Sequence, residues 1–307
     1  MKSDLESKFK IGKDNNTFQR ISAECPHDIF AGYNMGKAIL CIKGKGQYCE
    51  IRSTRIIRTI FTGRENHCFE LCFVLNEDTY FRQFLKLCTD IIERATIETE
   101  QKLLINVLNT WSCWLELFKG ERSPYLNDNQ IKGLVAELLF LNQYLIPKIG
   151  GDAAITAWMG PEKNHKDIET GERWCEIKAV STGALTVKIS SLEQLDSDIY
   201  GYLVIFYLDK SNQTRDNQIN LNKCVKSIEM KLEAIETQFL FKRKLLKAGY
   251  FEDVYYDTIC FLHKKTSFYR VTDGFPVILK KDIATGIVRV AYDIMIEALV
   301  EYQIQGN

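Results

Sequence analysis

The chain has 307 residues, 46% of them apolar, with 40 basic side chains against 40 acidic ones and ten cysteines. That is enough apolar material for one large core or two modest ones. A net charge of zero argues against holding nucleic acid by bulk electrostatics alone, since non-specific DNA affinity comes mainly from phosphate neutralisation. It leaves room for a local basic cleft and for help from a partner protein. No apolar run approaches the roughly 18 residues that span a bilayer. The start, MKSDLESKFKIGKDNN, is polar and lacks the apolar segment of a secretion signal. Most cysteines sit in apolar runs such as FELCFVL and FLKLCTDII, so reduced core thiols in a cytoplasmic protein, outside any membrane, are expected.

In chain order, AILCIKG, CEIRSTRIIRTIF and CFELCFVL carry the β-branched and aromatic residues of strands. DTYFRQFLKLCTDIIERA predicts a helix capped by Asp78 or Thr79, with Phe81, Phe84, Leu85 and Cys88 on one face. A second helix covers residues 98–118, and GERSPYLND is the clearest loop before residue 130. A boundary lies near residue 97 or 120. Placed at 97, it separates a β-rich α+β scaffold or recognition region, 1–97, from a domain over 98–307.

Residues 128–145 predict a helix, capped by Asn127 or Asp128 and followed by Pro147. After Gly150, Gly151 and the Gly160-Pro161 pair come strands at HKDIE and RWCEIKAV, turning at residues 169–172. ALTVKIS is a third strand, and Ser190 or Ser191 caps a short helix through Glu193 and Gln194. GYLVIFYLD is a near-continuous apolar run of the central-strand kind. From residue 215 onward the sequence predicts one long helix ended by Gly249, then short strands and a last β-like segment, GIVRVAYDIMI.

The chemistry concentrates in Asp167, Glu176 and Lys178. A strand alternates its side chains, so Glu176 and Lys178 share one face while Cys175, Ile177 and Ala179 take the other. Asp167, on the preceding hairpin arm, can reach the face of Glu176 across the pair. Two carboxylates and an ammonium then converge, a set suited to a hard divalent cation such as Mg²⁺. Such a cation stabilises charge on a phosphoryl oxygen and acidifies a bound water, and a lysine beside it can orient that water. The plainer alternative is a solvated hairpin with a cross-strand ion pair, since D-x(n)-E-x-K is short. A second E-x-K, Glu229 to Lys231, lies in a helical pattern, where residues two apart do not face each other. Glu137 borders the stripe Leu134, Leu138, Leu141, Leu145. A carboxylate there is costly unless paired or bound to a metal.

Other features carry less. Lys242, Arg243, Lys244 and Lys247 form a basic cluster, which reads either as a phosphate contact or as the solvated end of a helix. Cys68 and Cys72 lack a second pair at zinc spacing, His165 reads as a loop residue, and GKGKGQ lacks the spacing of a phosphate loop.

The run GLVAELLFL, a Trp-x-Gly-Pro loop, HKDIETGERWCEIKAV and ISSLEQL together resemble the PD-(D/E)XK nuclease superfamily. More narrowly they resemble the subgroup of PD-(D/E)XK motif proteins in bacterial defence operons. The match covers residues 128–208, with FYRVTDGFPVIL near 268–279 also similar and 215–307 as a carboxy-terminal extension. The resemblance implies a restriction-endonuclease-like α/β core, a central mixed sheet flanked by helices. It implies Mg²⁺-dependent hydrolysis of double-stranded DNA, with Mn²⁺ able to substitute. Asp167, Glu176, Glu137 and the Ile177 carbonyl would be metal ligands, Lys178 would position the water, and Gln194 matches the polar residue opening the next helix. Lys166 stands where the motif has proline. The operon setting implies restriction of invading DNA beside a methyltransferase, a helicase-like protein and an ATPase, and leaves a homodimer open. The competing expectation is an inactive nuclease-fold module that binds DNA or bridges those partners. Intact Asp167 and Glu176 speak against it.

Overall fold

The computed structural model describes residues 2–47, 49–118, 125–162, 165–197, 199–211 and 217–305. The chain divides into two compact units, Met1–Tyr125 and Leu126–Asn307. Part of the predicted loop, residues 120–124, lies outside the described residues.

The first unit contains α1 (Lys2–Asn15), β1 (Phe18–Arg20), β2 (Asp28–Asn34), β3 (Lys37–Lys45), β4 (Ile57–Arg64), β5 (Cys68–Leu75), α2 (Phe81–Thr96) and α3 (Glu100–Phe118). Its strands form one antiparallel sheet in the order β1-β2-β3-β5-β4. The helix expected over 98–118 belongs to this unit and not to the second: α3 packs on α2 and β3, and Trp114 donates its indole N–H to the buried Asp90 carboxylate at 3.0 Å. The division therefore follows α3 instead of falling at residue 97. Phe84, Leu85 and Cys88 are buried as their spacing predicts. Neither Asp78 nor Thr79 caps α2, because residues 78–80 wind into a tighter 3-10 turn and Tyr80 stands at the N-cap, making no side-chain capping bond. The cysteines are not all reduced. Cys41 and Cys72 are directly opposed across β3 and β5 and are joined by a disulfide, a pairing that a sequence separation of 31 conceals.

The second unit holds α4 (Asp128–Phe140), α5 (Ile146–Ile149), α6 (Gly151–Ala157), β6 (Ile168–Thr170), β7 (Arg173–Val180), β8 (Thr186–Ile189), β9 (Gly201–Ser211), α7 (Leu221–Glu229), α8 (Ile235–Lys247), β10 (Cys260–Val271), β11 (Tyr292–Met295) and β12 (Gln303–Ile304). Asn127 caps α4 in a reciprocal box with Gln130, both bonds at 3.0 Å. The helical run does not stop before Pro147. A wider π turn over Leu141–Leu145 precedes it, and Pro147 sits in the first turn of α5, where its missing N–H is not needed.

The sheet runs β12-β10-β9-β7-β6, with β7 parallel to β9 and the other pairs antiparallel. This is the mixed sheet with flanking helices that the resemblance implies. The apolar run of β9 is central, as expected, and takes the place beside β7. The strand expected third is consequently displaced: β8 pairs with β11 in a separate two-stranded sheet, packed over Trp174, Leu203, Ile205 and Tyr269. The hairpin turn has two residues, since Thr170 pairs with Arg173. The short helix after β8 is a single 3-10 turn, Leu192–Gln194, and Ser191 makes no side-chain cap. The long helix is two helices, parted by a turn whose Lys231 donates to the Asn142 carbonyl at 3.0 Å and whose Leu232 carbonyl accepts from Gln238 of α8 at 2.7 Å. Gly249 ends α8 with a φ of +90°. Among the described residues no helix is long and apolar enough to cross a membrane.

The parallel pairing of β7 with β9 rests on one close approach. Trp174 faces Gly201 in register, and a Cβ at Gly201 would lie 2.0 Å from the indole. Gly201→Ala should therefore force the indole off its seat and lower the unfolding free energy by about 1–3 kcal/mol. An unchanged urea midpoint would contradict this packing.

Candidate active site

Strand alternation places Trp174, Glu176, Lys178 and Val180 on the face that meets β8 and β11. Aromatic contacts of Tyr144 with Phe206 and of Phe140 with Phe268 put α4 and the π turn on the opposite face. The acids meet near β6, the edge strand of the sheet. Asp167 stands just before β6 and accepts the Ile177 N–H through Oδ2 at 2.7 Å. Its own carbonyl accepts the N–H groups of Met159 at 2.7 Å and Gly160 at 3.1 Å.

Glu176 is 1% exposed. Its Oε1 accepts from Lys178 Nζ at 2.7 Å, while its Oε2 is buried with no hydrogen-bond partner. Lys178 Nζ donates a second bond to Gln194 Oε1 at 3.0 Å, and that oxygen also takes the Ser190 N–H at 2.7 Å. Glu137 comes from α4, where its Oε2 accepts the Trp158 indole N–H at 2.8 Å. Gly160 packs against both upstream acids: a Cβ there would lie 2.4 Å from Glu137 Oε2 and 3.2 Å from Asp167 Oδ1. The structure thus brings Asp167, Glu176, Lys178, Glu137 and Gln194 into one site.

Electrostatics bind the set together. Burial pushes Glu137 well above the usual carboxylate range, Asp167 adds to the shift and the Trp158 N–H opposes it. Asp167 is raised by burial, against the pull of Lys178 and the Ile177 N–H. Burial and then Asp167 raise Glu176 to about 8, with Lys178 opposing. Three carboxylates therefore share one bonded ammonium, a deficit of positive charge that a divalent cation would fill. The unpartnered Glu176 oxygen is a free ligand of the hard type such ions take. Among the described residues the three acids do not each bring an oxygen within 4.8 Å of the others, so they do not form a closed cage. Cys41, Glu70 and Cys72 do meet that spacing, but their sulfurs are bonded to each other.

Several residues of the site escape local sequence reasoning. Lys166, in the place of the motif proline, is buried, with its ammonium 3.8 Å from the Trp174 ring centroid and 3.1 Å from the Asp196 carbonyl. Burial lowers it to about 8, against the attraction of Glu176 and Asp196. Trp158 is fully buried, and of the basic cluster near residue 244, Lys244 is buried and bonded to backbone. It is not a solvated helix end. The Trp-x-Gly-Pro run is the sequence signal for Trp158. His165 is exposed, as a loop residue should be.

A family model described as "Putative PD-(D/E)XK family member, (DUF4420)" matches residues 6–297. The chain belongs to that family. No curated protein and no solved structure matches it.

The raised values of the acids set a pH dependence. A carboxyl whose folded value is raised keeps its proton when the unfolded chain has released it, so stability falls as pH climbs between the two values. For Glu176 that window runs from 4.5 to about 8. In chelator the thermal midpoint should drop across it, Glu176→Gln should flatten the drop, and added Mn²⁺ should raise the midpoint most at the alkaline end. An identical pH profile for Glu176→Gln would refute the assignment.

Proposed function

We propose that this family member is a Mg²⁺-dependent DNA endonuclease, the cutting component of a bacterial restriction or anti-phage system, in which Mn²⁺ can substitute. The observation that carries this reading is the Glu176 carboxylate, held on one oxygen by Lys178 and free on the other, beside two further acids. Asp167, Glu176, Glu137 and the Ile177 carbonyl would hold the cation. A bound divalent cation supplies Lewis acidity to a phosphoryl oxygen and lowers the pKa of a water on it.

The protein side of the reaction follows from the donors. Lys178 has three N–H groups, two of them aimed at Glu176 and Gln194. The third is available to an attacking water or to the oxygen on which charge develops. Gln194 fixes the ammonium's direction, and its own oxygen is fixed in turn by the Ser190 N–H. The Ile177 N–H holds Asp167, and the same strand carries Glu176 and Lys178, so one stiff backbone sets the spacing of the acids.

Zero net charge fits a cutter delivered to DNA by partner proteins. The methyltransferase, helicase-like protein and ATPase of such an operon would supply that delivery, and the first unit would serve as scaffold or recognition region. Homodimerisation would account for a double-strand break.

Plasmid cleavage with Mg²⁺, with the partner proteins present, tests the reading. Lys178→Ala should cut about 10²–10³-fold more slowly than the wild-type chain, the usual cost of removing one stabilising donor. Equal cutting by the two would remove Lys178 from the mechanism. No cutting by either, with no Mg²⁺ bound, would favour the inactive module.

A further inference from the structure

We propose that the turn from Trp158 to Gly160 is the positioning element of the carboxylate cluster, with Trp158 fixing Glu137 and Lys244 fixing Trp158. The proposal rests on the reading of the cluster as a cation site and assigns two residues that no chemical motif marks.

Glu137 and Asp167 come from elements separated by the whole of α5 and α6, and as like charges they repel. Something must hold them at a working distance. The turn contacts both. The backbone of Trp158 pairs with Ile168 in an antiparallel bridge, and the next two N–H groups hold the Asp167 carbonyl at 2.7 and 3.1 Å. The turn is thereby registered on the chain segment that carries Asp167. From the same residue the indole reaches the other way and donates to Glu137 Oε2 at 2.8 Å. An indole has two side-chain torsions and a single donor, so it works as a stiff spacer. Gly160 closes the arrangement, because a Cβ there would crowd both carboxylates.

The turn is itself anchored from below. Lys244 is 3% exposed, and its ammonium donates to the Thr156 carbonyl at 3.1 Å and to the Trp158 carbonyl. These groups lie where α6 ends, where helical carbonyls lack partners and a cation is favoured by the helix dipole. Phe241, one turn earlier on α8, packs on the indole with ring centroids 5.8 Å apart. Lys247 adds an ion pair with Glu162 at 3.6 Å. An ammonium buried at this depth is costly unless its donors are met, and both named acceptors belong to the segment that carries Trp158. Lys244 and Lys247 thus act through the site's scaffold.

Outer hydrogen-bond partners of metal ligands commonly govern affinity by about 10–100-fold. Calorimetric titration of the full chain with Mn²⁺ alone, without DNA, measures this. Trp158→Phe, which keeps a ring and removes the N–H, should weaken Mn²⁺ binding by about 10–100-fold. Lys244→Gln should weaken it in the same direction. Phe251→Leu, a core variant in the same unit, controls for lost packing: its thermal midpoint should fall while Mn²⁺ affinity stays at the wild-type value. If Trp158→Phe does not fold, Lys244→Gln carries the test. Wild-type affinity in the folded variants overturns the positioning role and leaves the cation site standing. An affinity that falls equally in Phe251→Leu overturns it also, as a stability effect. Absence of Mn²⁺ binding by the wild-type chain overturns the cation site and this role together.

Discussion

Like charge brought together inside a protein is the constraint around which the second unit is built. Three carboxylates, those of Glu137, Asp167 and Glu176, are desolvated together, and one ammonium is bonded among them. An unpaired ion taken from water into an apolar surrounding costs several kcal/mol even after relaxation. Burial pushes all three toward their protonated forms, and left unheld they would swing to solvent. Each is instead tied to a rigid donor: Asp167 to the Ile177 N–H, Glu176 to Lys178, Glu137 to the Trp158 indole. Those ties engage three of the six carboxylate oxygens, and the Glu176 Oε2 stays bare. A site that stores repulsion in this way has a standing affinity for positive charge.

Such storage requires a stiff frame, and the mixed sheet supplies it. The parallel β7–β9 pair runs beneath the site, closed at one end by the Trp174–Gly201 contact. Lys166 lies against that same Trp174 and bonds the Asp196 carbonyl, two residues beyond Gln194. The segment that directs Lys178 is therefore pinned to the hairpin that carries Asp167. Asp196 also receives the Lys280 N–H at 3.0 Å, which ties in the chain after β10. A proline in place of Lys166 could not donate to the Asp196 carbonyl. The departure from the motif is a change of fastening, and the acids keep their places.

What could be read from the sequence follows from the range of each interaction. Alternation along residues 173–180 assigns Glu176 and Lys178 to one face, because that rule is local to a strand. The Asn127 cap and the border position of Glu137 are local to a helix and are equally legible. Lys244 is the opposite case. In FKRKLL it looks like any solvated cation, and only the end of α6, some 90 residues earlier in the chain, buries it. β8 has a good strand pattern, yet pattern gives no partner, and β11 lies about 100 residues away. Cys41 and Cys72 each read as core thiols, since periodicity reports that a side chain is buried and not what stands opposite. Trp158 and Gly160 lie in a visible motif, but a motif without a register does not say which acids it touches.

The stored repulsion also orders events under the proposed function. Phosphate is an anion, and with all three acids ionised and no cation present it meets net negative charge at the site. A chain of zero net charge has no general excess of positive field to overcome that barrier. A divalent cation held by these acids would reverse the local sign and so favour entry of a scissile phosphate. On that reading cation uptake would precede or accompany seating of the DNA. Residues that set the spacing of the acids, Trp158 above all, then influence cutting through the occupancy of the cation and not through contact with the strand. The same logic limits Lys178. With two donors committed to Glu176 and Gln194, it can contribute one well-aimed hydrogen bond to the reacting atoms, and the precision of that bond depends on Gln194 staying where the 3-10 turn and the Ser190 N–H place it.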